Sequence, residues 1–279
     1  MSTGTDARWG FSASTGLAFT RADIVDAHFE ACRPTYLELL RAVGLRPGWR
    51  VLDAGCGTGR FLPHLAELVG VRGSLAAVDL TPENAGLAAA VAADLPLPVE
   101  VRQGDLLDLP HPDDSFDAAW CANTAQYLDD AALTGALAEL RRVVRPGGLV
   151  AVKELDGTTV TARPGPQFLF SDLFRAAAPT SPYARNLLRS RDLYRHLAAA
   201  GLVDVRQRTL LSEHHAPLSP VERAFYGQAC ARLAAQAAEL GLDVEEWAGY
   251  SAGAEAGNPL DAPDAYICEG NVLAVGVVP

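Results

Sequence analysis

Lysine is almost absent: Lys153 is the single lysine among 23 basic residues, set against 34 acidic ones for a formal net charge of -11. That balance excludes nucleic acid from the expected partners, because binders of polyanions present a basic face. Long apolar runs are missing as well. No stretch reaches the roughly 20 uninterrupted apolar residues that a membrane span needs. Asp6, Arg8 and Trp9 also interrupt the N-terminus where a secretory signal would carry its apolar core, so no membrane association and a cytoplasmic location are expected. The five cysteines, Cys32, Cys56, Cys121, Cys230 and Cys268, form no CxxC pair and read as reduced, mostly buried thiols. Among six histidines only His214 and His215 are neighbours, preceded by Glu213. Adjacent strand residues point to opposite faces, whereas metal-binding helices space their histidines one turn apart, so no metal site is expected.

What the chain does contain is ordinary for a globular protein, with 49% hydrophobic and 20% charged residues over 279 positions. That length suits one large α/β domain with insertions. Its most informative segment is Val51-Leu52-Asp53-Ala54-Gly55-Cys56-Gly57-Thr58-Gly59. A short apolar strand ends in an acid and breaks into glycines on alternate positions, which permits positive φ and close approach of a ligand to bare backbone. The dinucleotide fingerprint Gly-x-Gly-x-x-Gly would need its last glycine at position 60, where Arg60 stands.

Alternation of strands and helices continues downstream. Strands are expected at Arg50 to Asp53, Ser74 to Asp79, Val99 to Gln103, Phe116 to Ala122 and Leu149 to Glu154, with helices over Phe61 to Val69 and Asp129 to Val144. Thr81-Pro82-Glu83 supplies an N-cap, a first-turn proline and an acid for a further helix. This order predicts a parallel sheet with helices on both faces. Residues 1–20, with Trp9, Phe11 and Phe19, fit an N-terminal lid; Asp23 to Val43 has helical spacing that Pro34 should split in two. Residues 156–190 hold four prolines and Phe168, Phe170, Phe174 and Tyr183, the composition of an insertion covering a pocket, although a packed core is the plainer role for the three phenylalanines. A helix over Arg191 to Ala200, a strand over Asp204 to Leu211, a long helix from Ser219 to about Leu240 and a closing strand from Tyr266 to Val278 complete the chain, with a second insertion at about 217–265. The expected organisation is thus an N-terminal lid and helices at 1–48, a core at 49–154, a lid insertion and helix at 155–200, and C-terminal strands with a helical insertion at 201–279, all within one structural domain.

These motifs resemble, in order, those of the class I S-adenosylmethionine-dependent methyltransferases over about residues 49 to 154. The resemblance implies a Rossmann-like, seven-stranded, mostly parallel α/β sheet with helices on both faces and helical lid insertions. It implies S-adenosylmethionine as cofactor, with Asp53, Gly55, Cys56, Gly57 and Gly59 under its methionine portion and Cys56 contributing backbone alone. Asp79, 24 residues after Gly55, would take the ribose hydroxyls with Leu80 beside it. Gly104, Asp105 and Leu106 would meet the adenine, and Asn123 would follow the fourth strand. Ser115 to Leu128 and the turn Arg145-Pro146-Gly147-Gly148 complete the likeness, which is strongest to the small-molecule enzymes typified by ubiquinone and menaquinone biosynthesis. Asn123-Thr124-Ala125-Gln126-Tyr127 departs from that subgroup, where a histidine often follows strand four, and leaves the acceptor open.

Candidate acceptor-side groups lie at the carboxyl ends of the expected strands. Glu154 ends strand five and is the foremost candidate for a general base, with pairing to Lys153 or a nearby arginine as its structural alternative. Tyr127, His28 (with Glu30 on the same helix) and His214 or His215 are the others; packing over the cofactor, helix packing and a solvated loop are their respective alternatives. The expected function is methylation of a small molecule, a secondary metabolite, on carbon, oxygen or nitrogen, with a homodimer left open. The alternatives are an S-adenosylmethionine-binding enzyme of cyclisation or elimination, an NAD-dependent oxidoreductase, and a non-catalytic binding module.

Overall fold

The computed structural model describes residues 10–242, 244–252 and 257–279; Trp9, with the rest of 1–9 in the expected lid, lies outside them. A two-stranded hairpin, β1 (Gly10–Ser12) and β2 (Ala18–Thr20), precedes helix α1 (Ala22–Ala42). The core follows as β3 (Arg50–Ala54), α2 (Leu62–Val69), β4 (Ser74–Asp79), α3 (Pro82–Ala93), β5 (Val99–Gln103), β6 (Phe116–Ala122), α4 (Asp130–Val143) and β7 (Val144–Arg163). Helices α5 (Leu169–Ala177), α6 (Pro182–Arg189) and α7 (Leu193–Ala199) lead to β8 (Val203–His215). Then come α8 (Pro220–Glu239), the short α9 (Val244–Trp247) and β9 (Tyr266–Val277).

The seven long strands form one sheet in the order β5-β4-β3-β6-β7-β9-β8. Pairings from β5 across to β7 are parallel, and β9 runs antiparallel to both β7 and β8. The expected Rossmann-like sheet is therefore present. Apolar residues cover both faces, as two-sided burial of a parallel sheet requires. Leu39, Leu62, Leu65, Trp120 and Ala151 pack on the α1 side, and Leu133, Leu137, Val150, Val152 and Leu197 on the α4 and α7 side.

Three local expectations are corrected. Pro34 does not split α1, although it removes one backbone donor. Ile24, Phe29 and Cys32 before it, and Tyr36, Leu39 and Leu40 after it, are all buried against the same body, so packing holds both halves in line. Strand five, expected to stop at Glu154, runs on to Arg163, and the expected boundary between core and lid insertion falls inside it. Strand six, expected to stop at Leu211, continues through His215. Both extensions pair with β9, whose first residues, Tyr266 to Cys268, bond Thr161 to Arg163 on one side and Glu213 to His215 on the other. In the insertion, Phe170 and Phe174 are core, packed with Trp247 and Tyr250, while Phe168 is exposed.

Candidate active site

Residues 55–59 turn the chain from β3 into α2. Gly55 and Gly57 have φ of 75° and 53°, the left-handed region that a side chain disfavours. They serve different ends. A Cβ on Gly55 would stand 2.4 Å from Oγ1 of Thr124, so this glycine lets the turn after β6 close on the loop, whereas a Cβ on Gly57 would meet nothing within 4 Å. The loop is clamped at one end and bare at the other. Gly59 N–H bonds the Cys56 carbonyl at 2.9 Å and closes the turn. The Cys56 thiol donates to the Gly57 carbonyl and is pushed well up by burial and the nearby acids, which leaves its backbone as the useful part.

Asp79, at the end of β4, organises this loop. Its Oδ2 accepts from Gly57 N–H at 2.9 Å; its Oδ1 accepts from the Thr81 N–H, the Thr81 hydroxyl and the Asn84 amide, each at 3.1 Å. The carboxylate therefore has a structural task beyond the diol recognition expected of it, with free acceptor capacity on Oδ2. Beside it, the Leu80 carbonyl accepts from the Gln103 side chain and Gly104 N–H bonds the Asp79 carbonyl. Asp105 is exposed, its Oδ1 closing a turn on Leu107 N–H at 2.9 Å, and Leu106 is buried beneath. Asp53 is the anomaly. It is buried, its Oδ2 has no partner, and burial together with the Asp79 charge pushes it up to about 8. An unpartnered buried carboxyl beside bare backbone suits a ligand carrying positive charge.

Helix α1 lies against this loop through Thr58, whose hydroxyl donates to Asp26 at 2.7 Å, and through ion pairs of Arg60 with Glu30 and Asp26. From its next face, His28, Cys32 and Tyr36, four residues apart, reach toward β7, β9 and α8. Glu269 of β9 meets them: its Oε1 lies 2.9 Å from His28 Nε2 and accepts from Cys32 Sγ at 3.1 Å and Asn271 Nδ2 at 3.3 Å. The Tyr36 hydroxyl is 3.2 Å from His28 Nε2, and the Tyr226 hydroxyl 3.4 Å from Cys32 Sγ. Burial opposes the charge on Glu269, but His28, Lys153 and the Cys32 thiol prevail and hold it down at about 2. Lys153 of β7 completes the cluster. Its Nζ donates to Asn123 Oδ1 at 2.7 Å and sits 3.5 Å from the centre of the Tyr36 ring, while burial pushes it down to about 8. Asn123, with φ of 54°, also donates to the Tyr36 hydroxyl at 3.4 Å. It thus joins the cluster to the turn at Thr124 that clamps Gly55.

Of the four expected catalytic groups, only His28 enters this cluster. Side chains alternate along a strand, so Lys153 faces α1 and Glu154 faces away. Glu154 Oε1 accepts from Thr124 N–H at 2.9 Å and Ala125 N–H at 2.7 Å, pinning the turn at Ala125–Tyr127, while its Oε2 is buried without a partner. One oxygen of this expected base is thus committed to backbone and the side chain lies on the sheet face away from the cluster, while its lysine neighbour bonds Asn123 instead of pairing with it. Tyr127 is half exposed, its hydroxyl 3.5 Å from Thr20 Oγ1 and its ring stacked on Tyr183 at 5.6 Å, which links β2 to α6. His214, expected in a solvated loop, is buried within β8 and pairs with Glu222 at 3.0 Å. His215 is exposed beside Tyr266, and Glu30 pairs with Arg60 and Arg33.

Lys153, Cys32, Tyr36, Tyr226 and Glu269 were not among the expected site residues. Two carried a signal: the single lysine directly after Val150-Ala151-Val152, and the acid directly after Ile267-Cys268, are charges in strands otherwise rich in apolar residues.

Burial pushes the Glu154 carboxyl up to about 7, and Asp53 stands at about 8. A carboxyl whose folded pKa is raised contributes stability below its unfolded pKa and loses it as pH rises through the folded value. Resistance to urea should therefore fall between about pH 5 and about pH 8. Glu154→Gln keeps an acceptor for the turn and should flatten this slope by up to about 1.4 kcal/mol per pH unit. An unchanged slope would remove Glu154 from the titration.

Comparison with known proteins agrees with this geometry. Residues 51–148 match the family of the methyltransferase domain. The chain is 36% identical to the 2-phytyl-1,4-naphtoquinone methyltransferase of Synechococcus elongatus, over 39% of this chain and 47% of that protein. It is 37% identical to the nocamycin O-methyltransferase of Saccharothrix syringae, over 47% of each. The matched segments span about half the length of these curated relatives. A crystal structure of a putative methyltransferase from Bacillus halodurans superposes with a TM-score of 0.53 at 18% identity, over 87% of this chain and 97% of that one, and shares the fold. No helix among the described residues is long and apolar enough to cross a membrane. Residues 51–148, then, carry the similarity to the methyltransferase domain, and the chain as a whole shares the fold of the Bacillus halodurans structure.

Proposed function

We propose that this chain transfers a methyl group from S-adenosylmethionine to a small-molecule acceptor of secondary metabolism. The observation that carries the reading is the unpartnered oxygen of buried Asp53 beside the bare backbone of Gly57. The cofactor supplies a methyl group on a positively charged sulfur, and its methionine portion carries an ammonium; both charges suit this acid. The backbone from Gly55 to Gly59 would lie under that portion. Asp79 and Leu80 would meet the ribose, Asp105 and Leu106 the adenine, and Asn123 the boundary with the acceptor. The enzyme's own contribution is orientation and exclusion of water.

The register of the glycine turn disfavours NAD, because Arg60 stands where the dinucleotide fingerprint needs its last glycine. Nothing in the site favours cyclisation or elimination over methyl transfer. The net charge of -11 supports a partner other than nucleic acid, and relatives named for naphtoquinone and nocamycin methylation support a small-molecule acceptor.

S-adenosylhomocysteine at about a hundred times its Kd should stabilise the protein by about 2.7 kcal/mol, a melting shift of a few degrees. NAD should leave the melting temperature unchanged. Stabilisation by NAD and not by S-adenosylhomocysteine would refute the assignment.

A further inference from the structure

We infer that His28 and Glu269 form a proton-accepting pair on the acceptor side, and that the acceptor is a phenol or enol methylated on oxygen. This rests on the methyl-donor reading above. The pair is tied to the donor loop by a short chain of contacts. Gly55 abuts Thr124, Asn123 next to it bonds both Lys153 and Tyr36, and the Tyr36 hydroxyl meets His28.

The groups around the pair leave one atom to receive a proton. His28 Nε2 is held by Glu269, and no protein partner engages Nδ1 among the described residues. The ring is fixed flat on Phe225, with centroids 4.4 Å apart and planes 9° apart. The His28 side chain is 22% exposed, whereas Cys32, Tyr36, Lys153 and Glu269 are all buried. With Glu269 ionised, Nε2 donates to it and Nδ1 keeps the lone pair, so the carboxylate fixes the tautomer and orientation of the imidazole.

The cluster also balances its charge without an added ion. Facing the pair are Cys32 and Tyr36 of α1, Lys153 of β7, Asn271 of β9 and Tyr226 of α8, and Tyr226 in turn touches the His214–Glu222 pair. Of the groups in direct reach, Glu269 carries one negative charge and Lys153 one positive. His28, Cys32 and Glu269 bring donor atoms within 4.8 Å of one another, but a divalent ion there would add to the Lys153 charge. A proton arriving on His28 instead falls beside the Glu269 carboxylate.

That pair selects the acceptor. A neutral amine attacks through its own lone pair and needs no base before transfer, so a proton-accepting pair points to a hydroxyl acceptor. An aliphatic alcohol is too weak an acid for imidazole to deprotonate, whereas a phenol or enol lies within reach. Lys153, buried against the Tyr36 ring and bonded to Asn123, supplies positive charge behind the pair. In the step, the hydroxyl O–H bond breaks and its proton goes to His28 Nδ1. The oxygen bonds the methyl carbon as the S–C pair leaves on the donor sulfur, so one positive charge passes from sulfonium to imidazolium.

The test uses the full chain saturated with S-adenosylhomocysteine and 4-nitrophenol as probe, whose phenolate absorbs in the visible. Below the probe's solution pKa, wild-type protein should raise the bound phenolate-to-phenol ratio roughly tenfold over the free probe, one unit of pKa. The isosteric Glu269→Gln and the more exposed His28→Gln should each abolish that rise while S-adenosylhomocysteine still binds by calorimetry. A probe that fails to bind wild type, binds it as neutral phenol, or ionises equally in both variants overturns the inference. So does stoichiometric zinc in the purified protein that is lost from Cys32→Ser. Absence of S-adenosylhomocysteine binding in wild type would instead bring down the donor reading, and this one with it.

Discussion

Asp79→Ala should cost the fold about 3 kcal/mol or more and weaken S-adenosylhomocysteine binding by one to two orders of magnitude, roughly 1–3 kcal/mol. The stability loss follows from what the carboxylate holds. Four donors converge on it: Gly57 N–H from the loop, and Thr81 N–H, the Thr81 hydroxyl and the Asn84 amide from the start of α3. Removing the acceptor leaves buried donors unpaired, the costly direction for a hydrogen bond. Asp79→Asn is the sharper variant, because its amide must present N–H toward one of the two donor groups and so loosens either the loop or the helix cap. Asp105→Ala is the contrast. Its side chain is exposed and closes a local turn, so affinity should fall with little change in the urea midpoint. A midpoint unmoved by Asp79→Ala would show that the loop is held by other means.

The second large effect concerns buried charge. Glu269→Ala should destabilise by about 3–5 kcal/mol, the cost of leaving a buried ion without its partner, because Lys153 then keeps its charge among apolar neighbours. Lys153→Met should cost a similar amount for the mirror-image reason. The double variant Glu269→Gln, Lys153→Met should recover much of either loss, since neither charge remains to be buried. A denaturation cycle measures the coupling, and a value near zero would mean that the two groups do not sense each other. Their pH dependence has a stated sign. Lys153, held at about 8 below its usual 10.5, adds stability as pH rises between those values. Glu269, held at about 2 below its usual 4.5, withdraws stability as pH falls between them. Lys153→Met should flatten the alkaline limb, and Glu269→Gln the acid limb.

The glycine turn and the acids around it were legible in the chain because their constraints are local. Asp53 to Gly59 is one strand end and one turn, and Asp79 and Asp105 each end a strand whose boundaries follow from apolar runs and turn residues. The buried cluster around Glu269 was not. His28 and Glu269 are separated by 241 positions, and nothing near either one announces the other. Glu154 misled because its place at the expected end of a strand suggested a rim, while β9 carries that strand nine residues further and places Glu154 beneath a turn. Pro34 misled in the same manner: local propensity favoured a break, and tertiary packing on both sides of it overrode the preference.

β9 has a consequence in time. It lies between β7 and β8, both of which precede it in the chain, and neither strand touches the other without it. As the chain leaves the ribosome, β8 has no sheet to join until residues 266–277 emerge and slot into the gap, an arrangement of high contact order that folds slowly and late. Glu269 arrives on that same strand. The polypeptide therefore carries a glycine loop built from early-made segments well before it can assemble the pair beside it, and closing the sheet and completing the cluster are one event.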